Sequence, residues 1–182
     1  MFTCYPILET DRLQIVPLSH NQLINYLQAD GTLEEELGVT ALKRKISIEL
    51  IEAFEKIILP GVGNPSRNFL FSTLWTTIDK RKKVMVGDLC FKGEVNADGE
   101  IEIGFGTYPQ FQNQGYMTEA VAALCQWAFE QTKVTCILAE TSNSNIASQK
   151  ILIKNGFKTY KETNKNIQWR LQKAEVLTVE RA

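Results

Sequence analysis

Phe111 to Glu130 reads FQNQGYMTEAVAALCQWAFE, and its two halves carry different information. In the second half Met117, Ala120, Val121, Leu124, Cys125, Ala128 and Phe129 recur with the spacing of one apolar helix face. In the first half Gln112-Asn113-Gln114-Gly115 is a polar turn containing a glycine. Before the turn, Glu100 to Tyr108 reads as a strand with Ile101, Ile103 and Phe105 on one face. A strand, a glycine turn and a helix start together make an anion site. The first amides of a helix have no intrahelical acceptor, and the helix dipole favours negative charge there. The expected ligand carries phosphate.

Working outward, Arg12 to Pro17 alternates as a strand, and Ser19 is placed to cap a helix. From Asn21 to about Lys56 the pattern is helical, broken near Gly31 and Gly38. Pro60-Gly61-Val62-Gly63-Asn64-Pro65 reads as a loop. Phe69 to Ile78 and Lys83 to Lys92 read as paired strands, and Asn96-Ala97-Asp98-Gly99 as a second hairpin turn. Cys136 to Ala139 is a short strand, and Ile146 to Lys154 a helix that Asn155-Gly156 ends. Phe157 to Lys161 and Ile167 to Leu171 close the series as strands. This order predicts an α/β (α+β) fold over residues 1–182. Its mixed, largely antiparallel central sheet has about seven strands flanked by helices.

Composition narrows the partners. With 182 residues, 44% hydrophobic and 23% charged, the chain can bury a substantial core. A formal net charge of −1 argues against a nucleic-acid partner. The basic run Lys80-Arg81-Lys82-Lys83 lies between two strands and reads as a solvated hairpin turn. Cys4, Cys90, Cys125 and Cys136 form no C-x-x-C pair and His20 is the only histidine, so no metal site is expected. The start MFTCYPILETDRL is unlike a signal peptide, and no apolar run approaches membrane-spanning length. The expected location is the cytoplasm, with no membrane partner.

No G-x-x-x-x-G-K-[ST] string occurs, which removes a P-loop. Gly104-Phe105-Gly106 opens like a dinucleotide fingerprint, but Pro109 intervenes before the helix and the third glycine is missing. Gln112-x-x-Gly115 at a helix entry suits a pyrophosphate held by backbone amides. About thirty residues on, Asn145 to Phe157 reads NIASQKILIKNGF. With Thr10-Asp11-Arg12-Leu13-Gln14-Ile15, Glu102-Ile103-Gly104-Phe105 and Gln112 to Ala120, this string resembles the Gcn5-related N-acetyltransferase (GNAT) superfamily. The likeness is greatest to the branch that contains ribosomal-protein N-terminal (alanine or serine) acetyltransferases. It runs through nearly the whole chain in order.

The resemblance implies a single acyl-CoA N-acyltransferase domain, with acetyl-CoA as co-substrate and no metal. It implies that Gln112, Asn113, Gln114, Gly115, Tyr116, Met117 and Thr118 hold the pyrophosphate. The backbone of Phe105, Gly106 and Thr107 would pair with the pantetheine, and Asn145 would contact it near the thioester. Met117 stands where most of the superfamily has Gly or Ala, but it falls on the apolar stripe and is expected to face the core. Leu152 occupies the place of a common catalytic Tyr. Ser148, which the branch shares, is the candidate for the leaving thiolate; bonding back to a helix carbonyl is its plainer reading. Glu102 is the candidate general base, against an ordinary ion pair or solvent-facing strand residue. Tyr116 and Trp127 either edge the cofactor or pack.

The acceptor is then a primary amine, on a protein N-terminus or a small molecule, and a homodimer is compatible with this reading. Glu34, Glu35, Glu36, Glu49, Glu52 and Glu55 either attract a cationic amine or form a solvated helix face. Two alternatives stay open: a non-catalytic acyl-CoA-binding regulatory module, and transfer of another acyl group such as succinyl.

Overall fold

The structure is a computed structural model describing residues 5–174, so Cys4 lies outside the described residues, as does the side chain of Glu49. One sheet contains β1 (Leu8–Glu9), β2 (Leu13–Pro17), β3 (Leu74–Asp79), β4 (Val84–Phe91), β5 (Glu100–Thr107), β6 (Cys136–Ser142), β7 (Lys158–Glu162) and β8 (Asn166–Gln172). Their spatial order is β1-β2-β3-β4-β5-β6-β8-β7, antiparallel throughout except for the parallel pair β5–β6. The expected mixed sheet therefore forms, with eight strands rather than about seven. The addition is β1, whose two residues are too few to show an alternation.

The helices are α1 (His20–Gln28), α2 (Thr32–Glu36), α3 (Ile48–Ala53), α4 (Leu59–Val62), α5 (Phe69–Ser72), α6 (Tyr116–Glu130) and α7 (Ile146–Lys154). Ser19 caps α1 reciprocally: its hydroxyl accepts from Gln22 N, and Gln22 Oε1 accepts from Ser19 N. Three segments differ from expectation. Residues 39–47, between α2 and α3, form no helix although the pattern predicts helix to about Lys56. Residues 59–62 are helical, because Phe54–Ile58 widens into a π turn in which Leu59 N–H reaches Phe54 O. That wider register precedes Pro60, which has no N–H to give an α-helical ladder. Phe69–Ser72 coils instead of extending, since Asn68 Oδ1 accepts from Leu70 N at 3.0 Å and caps the turn.

Each face of the sheet has its own core. The predicted stripe of α6, from Met117 through Phe129, is buried against Ile101, Ile103 and Ile137. On the other face, Leu23 and Tyr26 of α1 join Phe54 and Ile58 over Leu74, Ile78 and Met85. Among the described residues no helix is long and apolar enough to cross a membrane.

The irregularity that matters for the site lies between β5 and β6. They pair only at Glu100–Cys136, Ile101–Ile137 and Glu102–Leu138. Beyond Glu102 the ladder stops, while β6 stays with β8 to its end. Lys92 N–H donates to Glu102 O, and Tyr108 N–H to Val86 O. By antiparallel alternation the even-numbered residues of β5 therefore turn their backbone to β4. Phe105 and Thr107 turn theirs to the side that β6 has left.

Candidate active site

The turn before α6 is built on two left-handed residues, Asn113 (φ 59°) and Gly115 (φ 78°), one either side of Gln114. Asn is among the few residue types besides Gly that adopt this conformation readily, and such turns gather amides into an anion-binding concavity. Gly115 caps α6 with no side chain to offer, and its carbonyl accepts from Glu119 N at 3.2 Å. The N–H groups of Tyr116, Met117 and Thr118 therefore begin the helix with no intrahelical acceptor.

Residues distant in sequence fix this turn. Arg12 Nη1 donates to Gln114 O at 3.0 Å, and Arg12 Nη2 lies 2.6 Å from Glu119 Oε2. Thr10 Oγ1 donates to the other carboxylate oxygen of Glu119. Burial raises the Glu119 carboxyl, but the bonds from Thr10 and Arg12 outweigh it and hold the group below its ordinary value. From the β3–β4 turn, Lys82 Nζ donates to Tyr116 Oη at 2.8 Å, and Tyr116 donates to Asp79 Oδ2 at 2.6 Å. Asp79 Oδ1 accepts from Arg81 N and Lys82 N, so the basic run is a hairpin turn as expected, with Lys82 recruited to brace Tyr116.

A groove of about 500 Å³ runs from this turn to the diverging edge of β5 and the start of α7. Phe105, Gly106 and Thr107 line it from β5. Gln112, Asn113, Gly115, Tyr116, Met117 and Thr118 line it from the turn and α6, and Asn145 and Ser148 from α7. Of the sequence-derived candidates, Gln114 and Glu102 stay outside its lining. The Gln114 side chain turns to the supports, donating to Gln110 O and accepting from Lys82 Nζ. Lys92 Nζ holds Glu102 in an ion pair at 2.5 Å.

Met117 faces the core as its spacing implied. It is 3% exposed, and its Cε packs over Gly87 of β4. Asn145 caps α7, its Oδ1 accepting from Ser148 N at 3.1 Å, which leaves Nδ2 to the groove. The half-buried Ser148 hydroxyl is bonded to no helix carbonyl, so its plainer reading does not apply. Trp127 packs, with Phe71 and Trp75 against its ring. Tyr116 packs too, its hydroxyl bonded to Asp79, and its residue also lines the groove.

Lys150, Ile151 and Lys154 also line the groove, beside Ala147. Sequence reasoning passed over the two lysines, although their four-residue spacing puts them on a single helix face. The acidic N-terminal segment divides. Glu34 is buried and ion-paired with Arg44, and Glu52 pairs with Lys56 one turn on, so these two carboxylates each have a cation of their own. Burial pushes the Cys90 thiol up to about 11 and the Cys125 thiol higher still, which opposes a thiolate nucleophile at either.

A family model described as an acetyltransferase (GNAT) domain matches residues 40–158. The protein named uncharacterized N-acetyltransferase YjdG, of Bacillus subtilis (strain 168), is 30% identical over 154 residues, covering 83% of this chain and 89% of its own. Among solved structures, the ribosomal L7/L12 alpha-N-protein acetyltransferase RimL in complex with coenzyme A superimposes with a TM-score of 0.64 at 15% identity. That match covers 92% of this chain and 98% of RimL. The spermidine N-acetyltransferase of Vibrio cholerae, in complex with CoA and spermine, gives 0.63 at 12% identity, covering 92% and 99%. At such identities the likeness to the two structures is one of fold.

Proposed function

The chain belongs to the acetyltransferase (GNAT) domain family and is an acyltransferase; from that premise we propose that it transfers the acetyl group of acetyl-CoA to a primary amine by direct attack in a ternary complex. One observation carries this reading. A single groove joins the free helix-start amides of α6, the open backbone edge of β5 and the unbonded hydroxyl of Ser148.

The donor supplies an activated acyl group, a thioester carbonyl open to attack by an amine. In our reading the left-handed turn and the amides of Tyr116, Met117 and Thr118 bind its pyrophosphate, where dipole and donors act together. Lys150 and Lys154 add charge beside it. Phe105 and Thr107 pair with the pantetheine amides, and Gly106 allows the close approach. The N–H of Phe105 donates to the oxygen on which charge develops. Asn145 orients the chain end through Nδ2, and the Ser148 hydroxyl donates to the departing sulfur, a thiolate of pKa ~8.5 by analogy with cysteine. Glu102 can serve as a base only after parting from Lys92. The described residues act as one acyltransferase domain, and the acceptor is the amine of a protein N-terminus or of a small molecule.

Calorimetric titration with acetyl-CoA, with CoA and NAD as controls, tests the donor. Thiol release across N-terminal peptides, polyamines and amino sugars then tests transfer. The expected result is binding of both CoA species, none of NAD, and turnover with at least one amine. Tight CoA binding with no amine acetylated would reduce the protein to a CoA-binding module.

A further inference from the structure

Nothing in the fold requires Gly106 of β5 to be glycine. Inside a strand glycine is less stable than alanine, and where it persists it marks a left-handed backbone, a bulge, a tight packing contact or the approach of a ligand. Gly106 does not have a positive φ. The β4–β5 ladder runs from Gly87–Thr107 to Phe91–Ile103 without a shift, so there is no bulge. A Cβ built on Gly106 meets nothing within 4 Å, whereas one on Gly87 would strike Gly106 O at 2.4 Å. The approach of a ligand remains, and Gly106 is both exposed and part of the groove lining.

The strand shows from which face that ligand comes. Ile101 and Ile103 point to the α6 core, so the even-numbered positions of β5 face the opposite side. Gly106 pairs there with Asp88 of β4, to whose Oδ2 Tyr26 Oη of α1 donates at 2.7 Å. The donor groove is walled by α6 and α7 on the first face. A donor bound between those helices keeps that side of its thioester, so the amine has to arrive from the other. The Cβ that Gly106 lacks would stand on this other side.

The opening is narrow. Gly104 and Tyr108 each stand about 7 Å from Gly106 along the chain. A Cβ on Gly104 would lie 3.4 Å from Lys92 Cε, and Glu102 holds Lys92 Nζ at 2.5 Å, so the stem of Lys92 covers the sheet at that end. At the other end Tyr108 is half-buried, its hydroxyl 3.5 Å from that of Tyr26. Toward β4, Asp88 is 6% exposed and engaged by Tyr26, which makes it a wall of the opening. Toward β6 the way is clear, because the β5–β6 ladder ends at Glu102–Leu138. The bare sheet between these walls spans one side-chain position.

We infer that Gly106 sets the width of the path by which the acceptor reaches the thioester, and that this path admits a primary amine on an unbranched carbon in preference to one on a branched carbon. The assignment rests on the acetyl-transfer reading. Among peptide N-termini, glycine alone carries its amine on an unbranched carbon. Gly106 supplies no group to the chemistry; it determines specificity because any side chain at this position takes the room of the acceptor. Phe105 and Thr107 turn their backbone to the donor while Gly106 turns its own to β4, so a side chain at 106 leaves the bonds to the donor in place.

The test uses two unreactive conjugates in which a CH2–CO bridge joins the CoA sulfur to the nitrogen of n-butylamine or of sec-butylamine. They are isomers that differ only in branching at the amine carbon. Calorimetry on the wild-type protein should show the n-butyl conjugate bound about tenfold more tightly than the sec-butyl one. For the n-butyl conjugate, Gly106→Ala should lose about tenfold and Gly106→Val about 100-fold. CoA affinity should stay unchanged, and the melting temperature of Gly106→Ala should equal or exceed that of the wild type. In turnover, Gly106→Ala should raise the KM for n-butylamine and leave that for acetyl-CoA as it was. Equal binding of the two isomers by the wild type, or an n-butyl affinity untouched by Gly106→Ala, overturns the inference. The isomers are compared on the wild-type protein, so a variant that misfolds does not shelter the idea. Isomers told apart with no amine ever acetylated would sustain the path and sink the transfer reading; CoA that fails to bind at all would sink both.

Discussion

Met117 and Gly87 are packed face to face between α6 and β4: a Cβ built on Gly87 would lie 2.8 Å from Met117 Cε and 2.4 Å from Gly106 O. The contact explains how a long side chain is tolerated at the start of the helix proposed to bind phosphate. The side chain goes into the core over a glycine, and the amide is left to the groove. Gly87→Ala should therefore cost about 1–3 kcal/mol or more, because the carbonyl of Gly106 is backbone and cannot swing aside. Met117→Ala should cost about 2–5 kcal/mol as a cavity without strengthening acetyl-CoA binding. Denaturant unfolding and calorimetry read both effects; tighter binding by Met117→Ala would mean that the side chain does crowd the ligand.

Arg12 joins the N-terminal strand to the turn through Gln114 O and Glu119. Its side chain is 46% exposed, so its ion pair contributes at most about 1 kcal/mol to stability. Its larger effect should be on preorganisation. Arg12→Ala is expected to weaken acetyl-CoA binding about tenfold while the melting temperature changes little. Equal affinities in the two proteins would show that the turn keeps its shape without the clamp.

Lys150 and Lys154 lie on the groove wall, exposed, on one face of α7. Two charges near a phosphate in water contribute about 1 kcal/mol each, so replacing both with Gln should weaken acetyl-CoA about tenfold or somewhat more. The loss should shrink as salt rises. S-acetylpantetheine, which carries no phosphate, should bind both proteins alike. An equal loss for that truncated donor would place the lysines against the pantetheine instead.

The parts of this site legible in the sequence are those that local pattern fixes. The α6 stripe, the strand Glu100 to Tyr108 and the Asn155-Gly156 stop each follow from spacing or backbone preference within a few residues. The braces were not legible, because each is a tertiary coincidence. Arg12 meets Glu119 across 107 positions, and Tyr26 meets Asp88 across 62. Within VMVGDLCF, Asp88 is one acid in an apolar strand; its burial comes from α1, which the strand sequence does not mention. Glu102 failed to join the groove for the same reason, since Lys92 reaches it only once β4 and β5 are paired.

Ser148→Ala separates chemistry from binding. The hydroxyl lines the groove and is bonded to nothing in its own helix, so its removal should leave α7 intact. The kcat is expected to fall about 100-fold with the KM for acetyl-CoA unchanged. A rise in KM at constant kcat would make Ser148 a binding group only. Because a proton on the leaving sulfur matters most when the thiolate is a poor leaving group, donors with more acidic thiols should rescue the variant.

Asp88 makes an unusual demand on stability. Its carboxyl is raised from 3.8 to about 6 by burial, so between those values the folded chain binds a proton that the unfolded chain does not. Stability from this group is therefore greatest below its unfolded pKa and is lost as pH rises through its folded one. At about pH 7 the ionised side chain costs the fold up to about 3 kcal/mol. Asn keeps an oxygen for the Tyr26 hydroxyl and cannot ionise. Asp88→Asn should accordingly be more stable than the wild type at about pH 7, with the difference closing toward about pH 4. Urea unfolding at a series of pH values measures this directly. A variant less stable at neutral pH would mean that the ionised carboxylate is already well satisfied by the hydroxyls around it.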